Sequence, residues 1–200
     1  MENENYYEQL PEDYKLDYTI DANGGKTVVL MNIAAIVIWF AFIAVALLIR
    51  RIDFGEIDFG IEYLLYFFGF FVSYVAYMVL HELVHGLFYK IFTKRKLKFG
   101  FNFFVAYCGV PDIYVKKTPM IVTVLAPFVV FTLIGLPALF FVSDVRLFIA
   151  LSALVGAHIG GCVGDLFVAI ILIFKYRGKN IYVNDTGPKQ TFYVKSAPID

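Results

Sequence analysis

Net charge is the first thing this chain lacks: 17 basic residues balance 17 acidic ones over 200 positions. That balance removes the electrostatic case for a nucleic-acid partner and for a purely electrostatic attachment to a membrane. Cysteine is scarce too. Cys108 and Cys162 are the two present, and neither lies in a C-x-x-C pattern, so no disulfide scaffold is expected. The first residues lack the basic stretch of a cleavable signal peptide, because Glu2, Glu4, Glu8, Glu12 and Asp13 make them acidic. No internal repeat or low-complexity tract is visible. What the chain has in excess is apolar side chains. They make up 60% of the sequence, including 22 Phe and 14 Tyr, against about 45–50% in soluble domains. This is the composition of a membrane protein.

Four stretches are long and apolar enough to cross a bilayer as helices. They run from about Val28 to Ile49, Tyr63 to Phe92, Pro119 to Val142 and Leu147 to Phe174. The third contains Pro127 and Pro137, each of which removes a backbone donor and favours a kink. The fourth carries Gly156, Gly160, Gly161 and Gly164, small residues that let a neighbouring helix approach closely. Four spans put both ends of the chain on one side. Basic residues then set the orientation. Lys15, Lys26, Lys94, Arg95, Lys96, Lys98, Lys116, Lys117, Lys175, Arg177, Lys179, Lys189 and Lys195 fall on the side of the termini. Arg50, Arg51 and Arg146 fall on the other. Both termini and the central loop are therefore expected in the cytoplasm, on one side of a multi-pass integral membrane protein.

The central loop has a different character. Leu97, Phe99, Phe101 and Phe103 alternate with Lys98, Gly100 and Asn102, a period of two. Cys108-Gly109-Val110-Pro111-Asp112 reads as a turn and Ile113-Tyr114-Val115 as a second short strand. The expected fold is an all-α membrane protein of four transmembrane helices, with a short β-hairpin between helices 2 and 3. Residues 1–27 and 176–200 are expected as polar tails around an integral membrane domain over 28–175.

Chemistry concentrates in the second span. His81-Glu82-Leu83-Val84-His85 is an H-E-x-x-H motif inside an apolar helix, where each ionisable side chain costs at least a few kcal/mol. The i, i+4 spacing puts both imidazoles on one face, roughly 6 Å apart, where they can share a metal ion. Glu82 points about 100° round the helix, in reach of a water activated by that ion. On a helix this is the zinc metalloprotease signature, with the Glu as general base. The competing reading is a chance match whose polar groups satisfy one another between helices. His85 lies about 7 Å along the axis before Lys90, and His81 about 28 Å after Glu62, so the site is expected nearer the cytoplasmic side.

A catalytic zinc needs a third protein ligand. Asp165 is the first candidate, as the acidic residue inside the fourth span. His158 is the second, seven residues earlier and so near the same face of a continuous helix; it could instead orient a ligand. Cys162 ranks third, since a buried Cys is most often packing.

His81-Glu82-Leu83-Val84-His85-Gly86, Leu125-Ala126-Pro127 and Gly164-Asp165 together resemble a family of small bacterial membrane proteins described as zincin peptidases. That family is similar in layout to the site-2 intramembrane metalloproteases. The resemblance covers roughly residues 60–175. It implies His81, His85 and Asp165 as ligands of Zn2+ and Glu82 as the base. In the last helix of site-2 proteases Asn and Pro commonly precede an Asp-Gly; here the run is Gly160-Gly161-Cys162-Val163-Gly164-Asp165-Leu166. The expected activity is that of a zinc-dependent metalloendopeptidase acting within or next to the membrane on a transmembrane or membrane-bound peptide. The alternatives are a non-catalytic membrane metal-binding protein and an inactive protease-like scaffold.

Overall fold

The computed structural model describes residues 4–53, 60–101 and 106–196. Helix α1 runs Lys26–Arg50, α2 Glu62–Thr93, α3 Lys117–Phe141, α4 Val145–Gly161 and α5 Val163–Ile170, with a π-helical turn over Ile171–Lys175. Four helices are long and apolar enough to cross a membrane when Val145–Lys175 is taken as one. They coincide with the four spans read from composition. The last is not a single smooth helix. Cys162 leaves helical geometry (φ −77°, ψ 0°), its N–H reaching the carbonyls of Gly160 and His158, and α5 starts afresh beyond it.

The all-α expectation is wrong. Helix makes up 61% of the described residues and strand 20%. The strands are β1 Tyr6–Tyr7, β2 Tyr14–Asp21, β3 Lys98–Phe101, β4 Ala106–Lys116, β5 Ile181–Asp185 and β6 Lys189–Lys195. They form one six-stranded antiparallel sheet in the order β1-β4-β5-β6-β2, with β3 paired to β4. The two supposed polar tails supply four of those strands. Their sequences show why: Tyr14, Leu16, Tyr18 and Ile20 alternate with Lys15, Asp17, Thr19 and Asp21, the period of a strand with one face inward.

A hairpin pair does lie between α2 and α3, but Cys108–Asp112 is not its turn. Phe101 pairs with Ala106, so β4 runs straight through the Cys108–Asp112 stretch expected as a turn. Asn102 and Phe103, expected to extend β3, lie outside the described residues. The Pro-containing stretch is a bulge: pairing with β5 shifts register between Val110 and Val115. Asn184 holds the bulge shut, its Nδ2 donating to the carbonyls of Pro111 (2.8 Å) and Ile113 (2.9 Å). Pro111 is tolerated there because a bulge needs no ladder bond from its nitrogen.

The chain divides into two compact units. One comprises residues 1–29, 81–127 and 165–200, and so holds the whole sheet with parts of α2, α3 and the last span. Its core joins the inner face of the sheet (Val115, Val183, Phe192) to helix residues Tyr89, Met120 and Leu172, each at most 1% exposed. The end of α2 is fastened there, since Asn5 Nδ2 donates to the carbonyl of Phe92 and meets an otherwise open helix terminus.

The other unit comprises residues 30–80 and 128–164. There α1 lies against α4 through glycine. A Cβ on Gly160 would fall 2.5 Å from the backbone oxygen of Ala35, and one on Gly156 would fall 2.9 Å from Trp39. Trp39 Nε1 donates to the carbonyl of Ala153 (2.8 Å) beside this contact. Asp144 caps α4, its carboxylate accepting from Leu147 N.

Candidate metal centre

His81 and His85 are one turn apart on α2, both buried, with ring centroids 4.9 Å apart. Asp165 comes to them from the first turn of α5. The break at Cys162 places it there, at a helix N-terminus where a carboxylate is favoured by the exposed N–H groups. Its Oδ2 lies 3.1 Å from His81 Nε2 and its Oδ1 3.4 Å from His85 Nε2. One ligand atom from each of the three residues falls within 4.8 Å of the others. His85 Nδ1–H donates to the carbonyl of Thr123 on α3 (2.9 Å), which leaves Nε2 as the lone-pair nitrogen facing Asp165.

Two imidazole nitrogens and one carboxylate are the donor set of a catalytic zinc site, which keeps a further position for water or substrate. The residues present fit that ion. The carboxylate of the motif itself is used differently. Glu82 is only partly buried, and it accepts a hydrogen bond from the backbone N–H of Cys108 on β4. It stands within electrostatic reach of His81, His85 and Asp165 without being one of the converging three. The hairpin that supplies this N–H is packed close to the helix. A Cβ on Gly86 would lie 2.8 Å from Phe99 and 3.1 Å from Leu97.

His158, the other candidate third ligand, is held by hydroxyls in the second unit. Tyr77 Oη lies 2.9 Å from its Nδ1 and Thr132 Oγ1 lies 3.1 Å from its Nε2. Phe128 and Phe131 pack on the ring. Cys162 Sγ is 3.6 Å from the same Nδ1. Between His158 and Asp165 the helix is interrupted at Cys162, so the two do not belong to one continuous helix.

Three partners of the site escape a reading by motif. Two are backbone groups, the Thr123 carbonyl and the Cys108 N–H, and no side-chain pattern marks them. The third is a buried pair. Tyr89 follows His85 by one turn on the same face, and its hydroxyl donates to Asp185 Oδ2 at 2.5 Å. The same oxygen accepts from Gln190 Nε2 (3.1 Å), and Oδ1 accepts from Gly187 N (2.8 Å). Burial pushes the Asp185 carboxyl up to about 6, against the pull of these donors. Burial likewise pushes the Cys108 thiol up to about 12, helped by the negative charges of Glu82 and Asp185.

No curated protein and no solved structure matches the chain. One family model does, over residues 74–179, just over half of the sequence and all of the residues that meet at the site from α2, α3 and α5. Its description reads "Putative zincin peptidase". The chain belongs to that family.

Proposed function

We propose that the protein is a zinc-dependent endopeptidase of the membrane, with a site-2-protease-like arrangement, acting on a transmembrane or membrane-bound peptide. The observation that carries this reading is the convergence of His81, His85 and Asp165 within 4.8 Å, beside a carboxylate that is held apart by the sheet. His81 Nε2, His85 Nε2 and an Asp165 oxygen are the groups that would hold the ion. Zinc bound there supplies a Lewis acid that acidifies water and polarises the scissile carbonyl. Glu82 takes the proton from water and returns it to the leaving amine. The Thr123 carbonyl fixes the His85 tautomer, and the Cys108 N–H fixes the Glu82 carboxylate.

A peptide bond within a helix is shielded by its own hydrogen bonds, so a substrate segment must be extended before attack. Strand β3 pairs with β4, and its packing on Gly86 keeps it close to the His85 turn. A substrate strand could add along it. The orientation follows the basic residues, with both termini and the sheet on the cytoplasmic side.

The test is Glu82→Gln. The variant keeps its zinc and loses cleavage of a membrane-embedded peptide by roughly 10²–10⁴-fold. A Glu82→Gln protein as active as the wild type would end the protease reading. A wild type that binds zinc and cleaves nothing would leave a metal-binding membrane protein.

A further inference from the structure

The turn between β5 and β6 touches both the metal helix and the strand that holds Glu82. Asp185 reaches α2 through Tyr89, one turn beyond His85. The backbone of the same turn lies under Gly109, the residue after Cys108. A Cβ on Gly109 would fall 2.8 Å from the Asp185 oxygen and 2.8 Å from Thr186 C, and closer still to Gly187 N. Only glycine lets β4 and the turn come this close. Gly187 sits at φ +96° with the ring of Tyr107 against it, and the Tyr107 hydroxyl end covers Gly100 on β3. The residues on either side of Cys108 are therefore both pressed against the turn.

We infer that the Asp185–Gly187 turn is a positioning element for Glu82: it seats β4 so that the Cys108 N–H stays on the carboxylate, and the Tyr89–Asp185 hydrogen bond locks that seat to the helix carrying Glu82. The inference assigns positioning roles to Asp185, Tyr89 and Gly109, and it deepens the peptidase reading on which it rests. The Asp185 carboxylate is suited to the task. Its two oxygens accept from three donors on three parts of the chain, Tyr89 on α2, Gly187 in the turn and Gln190 on β6. Such a joint constrains direction as well as distance. A segment about 100 residues beyond the motif thereby sets the geometry of the base.

The chain offers a direct reporter. It has two cysteines, so full-length protein labelled with [15N]cysteine in detergent micelles gives two amide signals. Glu82→Gln identifies Cys108 as the signal that moves. Tyr89→Phe and Asp185→Asn should then each shift that signal and speed its hydrogen exchange about tenfold, leaving the Cys162 signal in place. In the same variants kcat should fall about tenfold with KM and bound zinc unchanged. The double variant should be no worse than either single one, as for two ends of one bond. Gly109→Ala, which leaves Tyr89 and Asp185 intact, should give the same signature. A Cys108 signal unmoved in Tyr89→Phe and Asp185→Asn overturns the inference, whatever happens to the melting temperature. If the Cys108 signal responds as expected while Glu82→Gln cleaves like the wild type, the positioning stands and the peptidase reading falls.

Discussion

At the scale of single residues, two side chains compete for one role and the surroundings separate them. Both ring nitrogens of His158 lie at hydrogen-bond distance from hydroxyls. Both oxygens of Asp165 face imidazole nitrogens. Asp165→Ala should therefore weaken zinc binding more than about 100-fold, whereas His158→Gln should keep it within a few-fold. Competition with a chelating dye measures both, and the opposite ranking would move the third ligand to α4. Asp185 makes a prediction of another kind. It ionises near pH 6 in the folded protein and near 4 in an unfolded chain, so the native state keeps its proton longer. Between those values stability falls as pH rises; the cost is absent below about pH 4 and complete above about 6. Asp185→Asn lacks this cost. The melting temperature of the wild type minus that of the variant should thus decrease as pH goes from 4 to 7. A constant difference across that window would mean that Asp185 is not a buried acid.

At the scale of elements, glycines decide where helices and strands can meet. A Cβ on Gly160 runs into the backbone of Ala35, while one on Gly164 meets nothing within 4 Å. Gly160→Ala should cost about 1–3 kcal/mol, seen as a lower melting temperature in detergent, and Gly164→Ala should be close to neutral. Equal effects would show that α1 and α4 are not packed through glycine. Local pattern made much of this visible beforehand. Apolar run length marked the four spans, the i, i+4 spacing marked the metal face of α2, and small residues marked the α1-facing side of α4. Pattern failed where partners are remote. The alternation in Tyr14–Asp21 is plain, yet its partner β6 lies some 170 residues away, and nothing local announces the pairing. Gly109 and Pro111 look like turn residues and instead serve a close approach and a bulge. The site divides in the same way: the side chains that converge could be named from the motif and the fourth span, but the backbone groups beside them could not.

At the scale of the whole molecule, one sheet gathers strands from residues 6–21, 98–116 and 181–195, three segments far apart in the sequence. The sheet, the end of α2 from His81 onward and Asp165 belong to one compact unit. The three converging side chains and the backbone groups beside them are thus built together. The proposed function requires one ion held by His81, His85 and Asp165. Zinc-edge X-ray absorption of the purified wild type tests it most directly. The expected result is one zinc per chain with two imidazole nitrogens and carboxylate oxygen at about 2.0–2.2 Å. A protein that takes up no zinc, or one whose zinc carries a cysteine sulfur at about 2.3 Å, would contradict it.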